Sequence, residues 1–166
     1  MLGVKLRSER IDLYDVLGER GQPVYLAAAQ ILTALARHNP DLARHFAVPQ
    51  PSDDSSRIDW YAPSNGAVVP WASATDAEKA AATAQLTTLQ TEINRLRASL
   101  QAKSGSSQNS LFSQLLPWVL HHPDPSHIYI IDGVPVLTFW GFLSAGADRN
   151  IAPFHALSPV STPQPL

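Results

Sequence analysis

The sequence predicts an α+β protein, in which an antiparallel sheet of about four strands packs against a long helix and several shorter helices. Two observations favour this class. Strand-like runs flank glycine-containing turns at two places, which indicates two β-hairpins. A long stretch with helical spacing of its apolar residues lies between the two hairpins.

The composition restricts the protein to a few classes. A chain of 166 residues is long enough for one domain with a sizeable core. Its formal net charge of −2 predicts no bulk attraction to nucleic acid, and we expect no direct membrane contact within residues 1–166. The absence of cysteine excludes disulfides and thiolate metal sites. Without a secretory signal or a run of roughly 20 apolar residues, we expect a soluble, cytoplasmic chain.

The first third of the chain predicts two helices between loops. Residues 13–21 are expected to form a loop, and the first helix is expected from Gln22 to about His38, with Pro23 in the first turn, where proline is tolerated. Asn39-Pro40 is expected to end it and to start a short helix that runs to Phe46. The polar residues 49–56 predict a surface loop.

The first predicted hairpin joins residues 57–62 to residues 67–71. Ser64-Asn65-Gly66 lies between them and is typical of a chain reversal. Pro70 has no N–H for a ladder, so its strand should lie at a sheet edge. Trp71 follows this edge proline, and among the aromatic residues it is the first candidate for an exposed position.

The long helix is predicted from a capping box at Thr75 and Glu78 to about Lys103, a length of about 42 Å. Its apolar residues recur every three or four positions, like the a and d positions of a coiled coil. They are Ala82, Leu86, Leu89, Ile93, Leu96 and Leu100.

This stripe has two interpretations, and the sequence leaves both open. In the first, it packs across the sheet and belongs to the core. In the second, the helices of two chains pair. The candidate interaction surface, for another protein or a second copy, comprises Leu86, Leu89, Ile93, Leu96 and Leu100, together with Trp71.

The second predicted hairpin is the centre of the fold. A polar connector, residues 104–110, and a helix over residues 111–121 that Pro117 interrupts lead to it. Ile128–Ile131 and residues 134–140 then flank Asp132-Gly133, which suits a type I′ turn. The implied register pairs Ile131 with Val134 and Ile128 with Leu137. Both faces are largely apolar, so we expect other elements to cover them. Residues 1–152 are therefore interpreted as one domain, and residues 153–166 as the start of a proline-rich linker.

No chemical motif emerges from the residues. His121, His122, Asp124 and His127 are close in sequence but lack a known zinc spacing. No serine lies in a Gly-x-Ser-x-Gly elbow, and no glycine-rich phosphate loop is present. We therefore assign no catalytic residue, no metal ligand and no cofactor. An unrecognised enzyme would need a pocket with a titratable pair, for which His127 is the candidate.

Five segments contain residues that shape the fold: YDVLGERGQPVYLAAAQI, FAVPQ, RIDWYAP, AVVPW and HIYIIDGVPVLTFWGF. Together they resemble the N-terminal region of the SrfA-like family of bacterial virulence-associated proteins, and the resemblance covers nearly the whole chain. It implies a proline-rich linker that continues into a single apolar membrane segment. It implies no catalytic residue.

The expected function is a non-enzymatic protein-interaction domain of a larger SrfA-like protein. Pro159, Pro163 and Pro165 would tether it to a membrane segment, and its partner would be another protein or a second copy. One alternative is a structural oligomerisation module that uses the helix from Leu86 to Leu100. The other alternative is an enzyme with an unrecognised site.

Overall fold

The computed structural model describes residues 3–19, 21–102 and 112–157, and the helices and strands below lie within these ranges. The helices are α1 (Ala28–His38), α2 (Pro40–Ala43) and α3 (Asp76–Ala102), and residues 112–115 form a further helical turn. The strands are β1 (Lys5–Arg10), β2 (Tyr14–Val16), β3 (Gly18–Glu19), β4 (Gln22–Pro23), β5 (Val48–Pro51), β6 (Arg57–Tyr61), β7 (Val68–Pro70), β8 (Ile128–Ile131), β9 (Val134–Leu137) and β10 (Phe142–Ser144).

The α+β class is confirmed, but the strands form several small antiparallel sheets. One sheet has the order β1-β6-β5 and another the order β7-β8-β9. Two-stranded pairings join β10 to β2 and β3 to β4. The prediction of one sheet that contains both hairpins is therefore wrong.

The central hairpin has the predicted turn and register. Ile131 pairs with Val134 and Ile128 pairs with Leu137. The turn residues have positive φ, 48° at Asp132 and 81° at Gly133, as a type I′ turn requires. The second arm ends at Leu137 and not at residue 140. Positive φ angles of Phe139 and Gly141 then turn the chain into β10.

The other predicted hairpin is wrong because its two arms belong to different sheets. β6 lies between β1 and β5, so both of its edges are already paired. β7 pairs with β8 instead, as an edge strand that carries Pro70. The central turn holds it there: the Ala67 N–H donates to Asp132 Oδ1 at 3.0 Å, and the Asp132 N–H donates to the Ala67 carbonyl at 3.1 Å.

Strands β1 and β5 were not predicted, because neither shows the alternation of apolar and polar residues that marks a half-buried strand. β1 reads KLRSER, and β5 contains Pro49 and Pro51 within the predicted loop 49–56. Both are edge strands, where charge and proline are tolerated. Part of the predicted N-terminal loop likewise forms β2 and β3.

The first helices differ from the prediction at one end each. Residues 24–27 form a 3-10 turn, and α1 begins at Ala28, although it ends at His38 as predicted. α2 ends at Ala43 and does not reach Phe46. Its first turn is capped by the Asn39 side chain, which accepts a hydrogen bond from the Asp41 N–H at 3.0 Å.

The predicted capping box at the start of α3 is confirmed. The Glu78 N–H donates to Thr75 Oγ1 at 3.0 Å, and the Thr75 N–H donates to Glu78 Oε1 at 2.8 Å. Helix α3 is described to Ala102, so its predicted end at Lys103 and the connector 104–110 lie outside the described residues. Among the described residues, no helix combines the length and apolar character needed to cross a membrane.

An aromatic cluster forms the centre of the core. The Trp60 ring lies 5.2 Å from Phe139 and 5.9 Å from Trp140, and Phe46 packs edge-on against Trp140 at 5.1 Å. Trp140 Nε1 donates to the Ala47 carbonyl at 2.8 Å, so this buried polar atom has a partner. The core also includes residues beyond 152: Phe154 and Leu157 are buried in it, although the sequence interpretation placed them in the tail.

Substituting Gly141→Ala is expected to lower the free energy of unfolding by about 3 kcal/mol, through backbone strain and overpacking. Its φ of +85° disfavours any side chain, and an added Cβ would lie 2.6 Å from Cγ1 of the buried Val24. Gly146→Ala is the matched control, because its φ is +80° but nothing lies within 4 Å of its Cβ position. Gly146→Ala should lower the free energy of unfolding by only about 1 kcal/mol. Urea unfolding measures both, and equal losses would contradict the clash at Val24.

Candidate functional site

The described residues offer two candidate sites, and the first is a polar cluster around His127. A 3-10 turn, Pro125–His127, leads into β8 and is capped by Asp124, whose Oδ1 accepts from the Ser126 N–H at 2.8 Å. The cap fixes the backbone at the position where His127 turns inward. Its side chain is almost completely buried, with the residue 1% exposed.

Three side chains form a continuous series of hydrogen bonds through this histidine. His127 Nδ1 lies 3.1 Å from Asp124 Oδ1, and Nε2 lies 3.1 Å from the Tyr14 hydroxyl oxygen. An ionised carboxylate only accepts hydrogen bonds, so Nδ1 carries the proton and donates to Asp124, while the Tyr14 hydroxyl donates to Nε2. β2, which carries Tyr14, is thereby joined to the turn before β8.

Two charged residues of β1 border the cluster. Arg7 forms an ion pair with Glu9 and donates to the Ser126 carbonyl at 3.3 Å and to the Tyr129 hydroxyl at 3.5 Å. Glu9 Oε2 lies 3.9 Å from His127 Nε2. The cluster thus connects the β1-β6-β5 sheet to the β7-β8-β9 sheet across a distance of more than a hundred residues in sequence.

The pKa values favour neutral forms of both central groups. Burial lowers the pKa of His127, and the positive charge of Arg7 lowers it further, although Asp124 and Glu9 act in the opposite direction. Burial raises the pKa of Tyr14, and the negative charge of Glu9 raises it further. His127 is therefore uncharged at neutral pH, and Tyr14 is a weaker acid than a free tyrosine, so its hydroxyl keeps the proton that it donates to His127.

This arrangement contains a base and its orienting carboxylate but no activated nucleophile. Ser126 Oγ lies 3.4 Å from His127 Nδ1, which is the nitrogen that donates to Asp124, and the same hydroxyl contacts Asp124 Oδ1. In a hydrolase triad the nucleophile contacts the opposite ring nitrogen. The geometry therefore suits structural cohesion better than acyl transfer.

The neighbouring histidines face other partners. His122 Nδ1 donates to the Leu120 carbonyl at 2.9 Å, and the His122 ring lies 5.7 Å from Phe154. His121 Nε2 lies 3.2 Å from the Arg149 carbonyl oxygen. Within the described ranges, no three His, Cys, Asp or Glu side chains come together as a metal site.

The second candidate is a groove beside the first turns of α3. The 3-10 turn Trp71–Ser73 forms one wall, α3 forms the other, and Leu157 also lines the groove, which has a volume of about 590 Å³. We call it the Trp71 groove. Its lining residues are Trp71, Asp76, Lys79, Ala80, Thr83, Ala84 and Leu157.

Among the described residues of this lining, Trp71 is the aromatic one. It is half-buried and packs against the core, and Lys79 Nζ lies 6.0 Å from the centre of its ring. Ala80 and Ala84 lie on the exposed side of α3, one helical turn apart, so the helical wall carries little side-chain bulk there. None of the side chains of the His127 cluster lines the groove.

The structure separates the six residues of the predicted interaction surface. Leu86, Leu89, Ile93, Leu96 and Leu100 are at most 8% exposed and lie in the chain's own core, so they offer no surface in the folded chain. Trp71 is partly exposed, in the groove. Sequence reasoning missed Ala80, Ala84 and Leu157. The four-residue spacing of the two alanines was the available signal, whereas Leu157 lay in the predicted tail.

Comparisons of this chain with protein-family models, with curated proteins and with solved structures found no match. The resemblance to the SrfA-like family stays a prediction.

Proposed function

We propose that this chain is a non-enzymatic protein-interaction domain that binds an extended, proline-containing, uncharged segment of a partner protein in the Trp71 groove. The observation that carries the proposal is the groove itself, which is lined by a half-buried indole and by a helical wall with the small side chains of Ala80 and Ala84.

The shape of the groove suits an extended peptide. Proline-rich segments adopt the polyproline II conformation before they bind, so they lose little conformational entropy, and they dock in aromatic-lined grooves. The Trp71 indole offers a flat apolar surface to a proline ring, which would displace the Lys79 ammonium from its place 6.0 Å from the ring centre. Ala80 and Ala84 allow a peptide backbone to approach the helix closely. A volume of about 590 Å³ lies within the range of ordinary ligand sites.

The charges of the groove suit an uncharged ligand. Asp76 and Lys79 line it together, so their formal charges cancel. The Thr83 hydroxyl donates to the Lys79 carbonyl at 2.8 Å, which commits its proton to the helix backbone. A charged partner would gain little from such a surface, whereas an apolar segment would cover the indole.

The proposal extends to the wider setting of the domain. As a member of the SrfA-like family, the chain would face the cytoplasm and be tethered through its proline-rich segment to a membrane span. Its partner would then be a cytoplasmic protein with an exposed proline-rich stretch.

The test is a titration of the ¹⁵N-labelled chain with an oligoproline peptide, followed by NMR. We expect chemical-shift changes at the Trp71 indole N–H and at the amides of Ala80 and Ala84, and none with a glycine-serine peptide of equal length. Trp71→Ala should abolish binding. Trp118→Ala is the matched control, because Trp118 is also half-buried and lies under a cation, with Arg149 Cζ 5.7 Å from its ring centre.

A second pair of variants keeps the test independent of the tryptophan. Ala84→Gln places a larger side chain in the groove, whereas Ala81→Gln places the same side chain at an exposed position of α3 that does not line the groove. Glutamine is a good helix former, so both variants should keep α3 intact. Binding that survives both Trp71→Ala and Ala84→Gln would overturn the proposal. The proposal would also be overturned if oligoproline bound neither the unmodified chain nor a variant with Pro159, Pro163 and Pro165 replaced by alanine.

A further inference from the structure

We infer that the proline-rich segment of this same chain, residues 158–166, docks in the Trp71 groove, so that a partner must displace it. The inference rests on the proposed function and names a regulator of the same site. Its starting observation is that Leu157, the residue directly before this segment, already lines the groove.

The chain before the segment is fixed to the core. Phe154 is 8% exposed and Leu157 is 9% exposed, and a 3-10 turn, His155–Leu157, joins them, with the Leu157 N–H donating to the Phe154 carbonyl at 3.0 Å. Because Leu157 lines the groove, a segment that follows it needs no long loop to reach the site. Its effective concentration at the site should be in the millimolar range typical of short tethers.

The segment is long enough to cover the site. The helical wall from Asp76 to Ala84 rises by about 12 Å, at 1.5 Å per residue. A nine-residue polyproline II segment spans about 28 Å, at 3.1 Å per residue. About four residues would thus suffice to follow the wall, and Ser158 to Ser161 could supply them.

The chemistry of the segment matches that of the groove. SPVSTPQPL contains Pro159, Pro163 and Pro165, and it has no charged side chain. The groove offers an indole, small apolar side chains and one pair of opposite charges. The segment thus has the proline content and the uncharged side chains of the ligand class proposed above, and it belongs to the same molecule.

A spin label on the full chain tests this docking directly. The chain contains no cysteine, so Gln164→Cys gives a single attachment site for a nitroxide. We expect paramagnetic broadening of the Trp71 indole N–H and of the Ala80 and Ala84 amides in the labelled molecule. Ala84→Gln should remove the broadening at Trp71, whereas Ala81→Gln should retain it. No broadening at these three residues would overturn the inference.

A mixed sample separates docking within one molecule from docking between two. It contains ¹⁵N-labelled chain without nitroxide and nitroxide-labelled chain without ¹⁵N. Broadening at the groove in this sample, at the strength seen in the doubly labelled chain, would assign the occupant to a second copy and overturn self-docking.

A competition experiment distinguishes failure of the inference from failure of the proposed function. In the full chain with Pro159, Pro163 and Pro165 replaced by alanine, the affinity for oligoproline should rise by about threefold to tenfold, because the tethered competitor is lost. Equal affinities, with shifts at Trp71 in both proteins, would overturn self-docking and leave the proposed function standing. The absence of binding to both proteins would overturn both.

Discussion

The substitution Ile93→Asp is expected to unfold the protein. Ile93 is 1% exposed, in the middle of α3, and belongs to the main core cluster. The substitution removes about 2 kcal/mol of apolar burial and places a carboxylate among the side chains of the main core cluster, so we expect a total loss of about 5 kcal/mol or more. Because a domain of this kind is stable by about 5–15 kcal/mol, most or all of its stability would be lost.

Circular dichroism and the dispersion of the amide NMR signals measure this outcome. Asn94→Asp is the matched control, since it introduces the same charge at the next residue of α3, whose side chain is exposed. It should leave the protein folded. Light scattering adds the decisive contrast: a wild-type dimer that Ile93→Asp converts to a folded monomer would show that the stripe packs between chains and not within one.

The apolar stripe of α3 shows what a sequence can and cannot specify. Its spacing of three and four residues predicted the helix and the side that is buried, because that spacing follows from the helical repeat. It could not predict what covers that side. The partners are distant in sequence and include β9 and the 3-10 turn Leu116–Trp118, whose positions depend on the whole topology. Two interpretations therefore stayed open until the structure was known.

Strand pairing was predictable only where the turn itself determines the register. Asp132-Gly133 forms a two-residue turn whose backbone angles fix the strands on both sides, and the predicted register is confirmed. Ser64-Asn65-Gly66 also predicted a chain reversal, but its flanking strands pair elsewhere, since β1 and β5 occupy both edges of β6. Those two strands carry charge and proline in place of alternation, so the competition was not visible in the sequence.

The candidate sites were hidden for a similar reason. His127 was noticed, but its partner Tyr14 lies 113 positions away, and no local pattern connects them. Trp71 was chosen because of the neighbouring edge proline, and it does line the groove. Leu157, which also lines the groove, was assigned to a linker because the proline content that follows it dominates the local composition.

Acidification is expected to destabilise the protein, and His122 should make a large contribution. Its ring is buried against Phe154, and Nδ1 donates to the Leu120 carbonyl at 2.9 Å. Burial lowers its pKa from 6.5 to about 4. The positive charges that His127 and His121 acquire in acid lower it as well, whereas the carboxylate of Asp124 acts in the opposite direction.

The direction of the effect follows from the lowered pKa. Between pH 6.5 and about 4 the unfolded chain binds a proton at His122 and the folded chain does not, so the free energy of unfolding falls as the pH falls through this window. The difference between a pKa of 6.5 in the unfolded chain and about 4 in the folded chain lowers the free energy of unfolding in acid by about 3 kcal/mol for His122 alone. Burial also lowers the pKa values of His45, His121 and His127, so the same window should show their losses too.

Urea unfolding across this window, with two variants, isolates the contribution of His122. His122→Gln removes the titrating group, and the variant should be less stable at neutral pH because the Phe154 contact is reduced. Its stability should nevertheless fall less steeply with acid than that of the wild type, by about 3 kcal/mol over the window. His155→Gln makes the same change at an exposed histidine and should keep the wild-type slope. Identical slopes in all three proteins would mean that His122 is protonated in the folded state as readily as in the unfolded chain, which would contradict its burial.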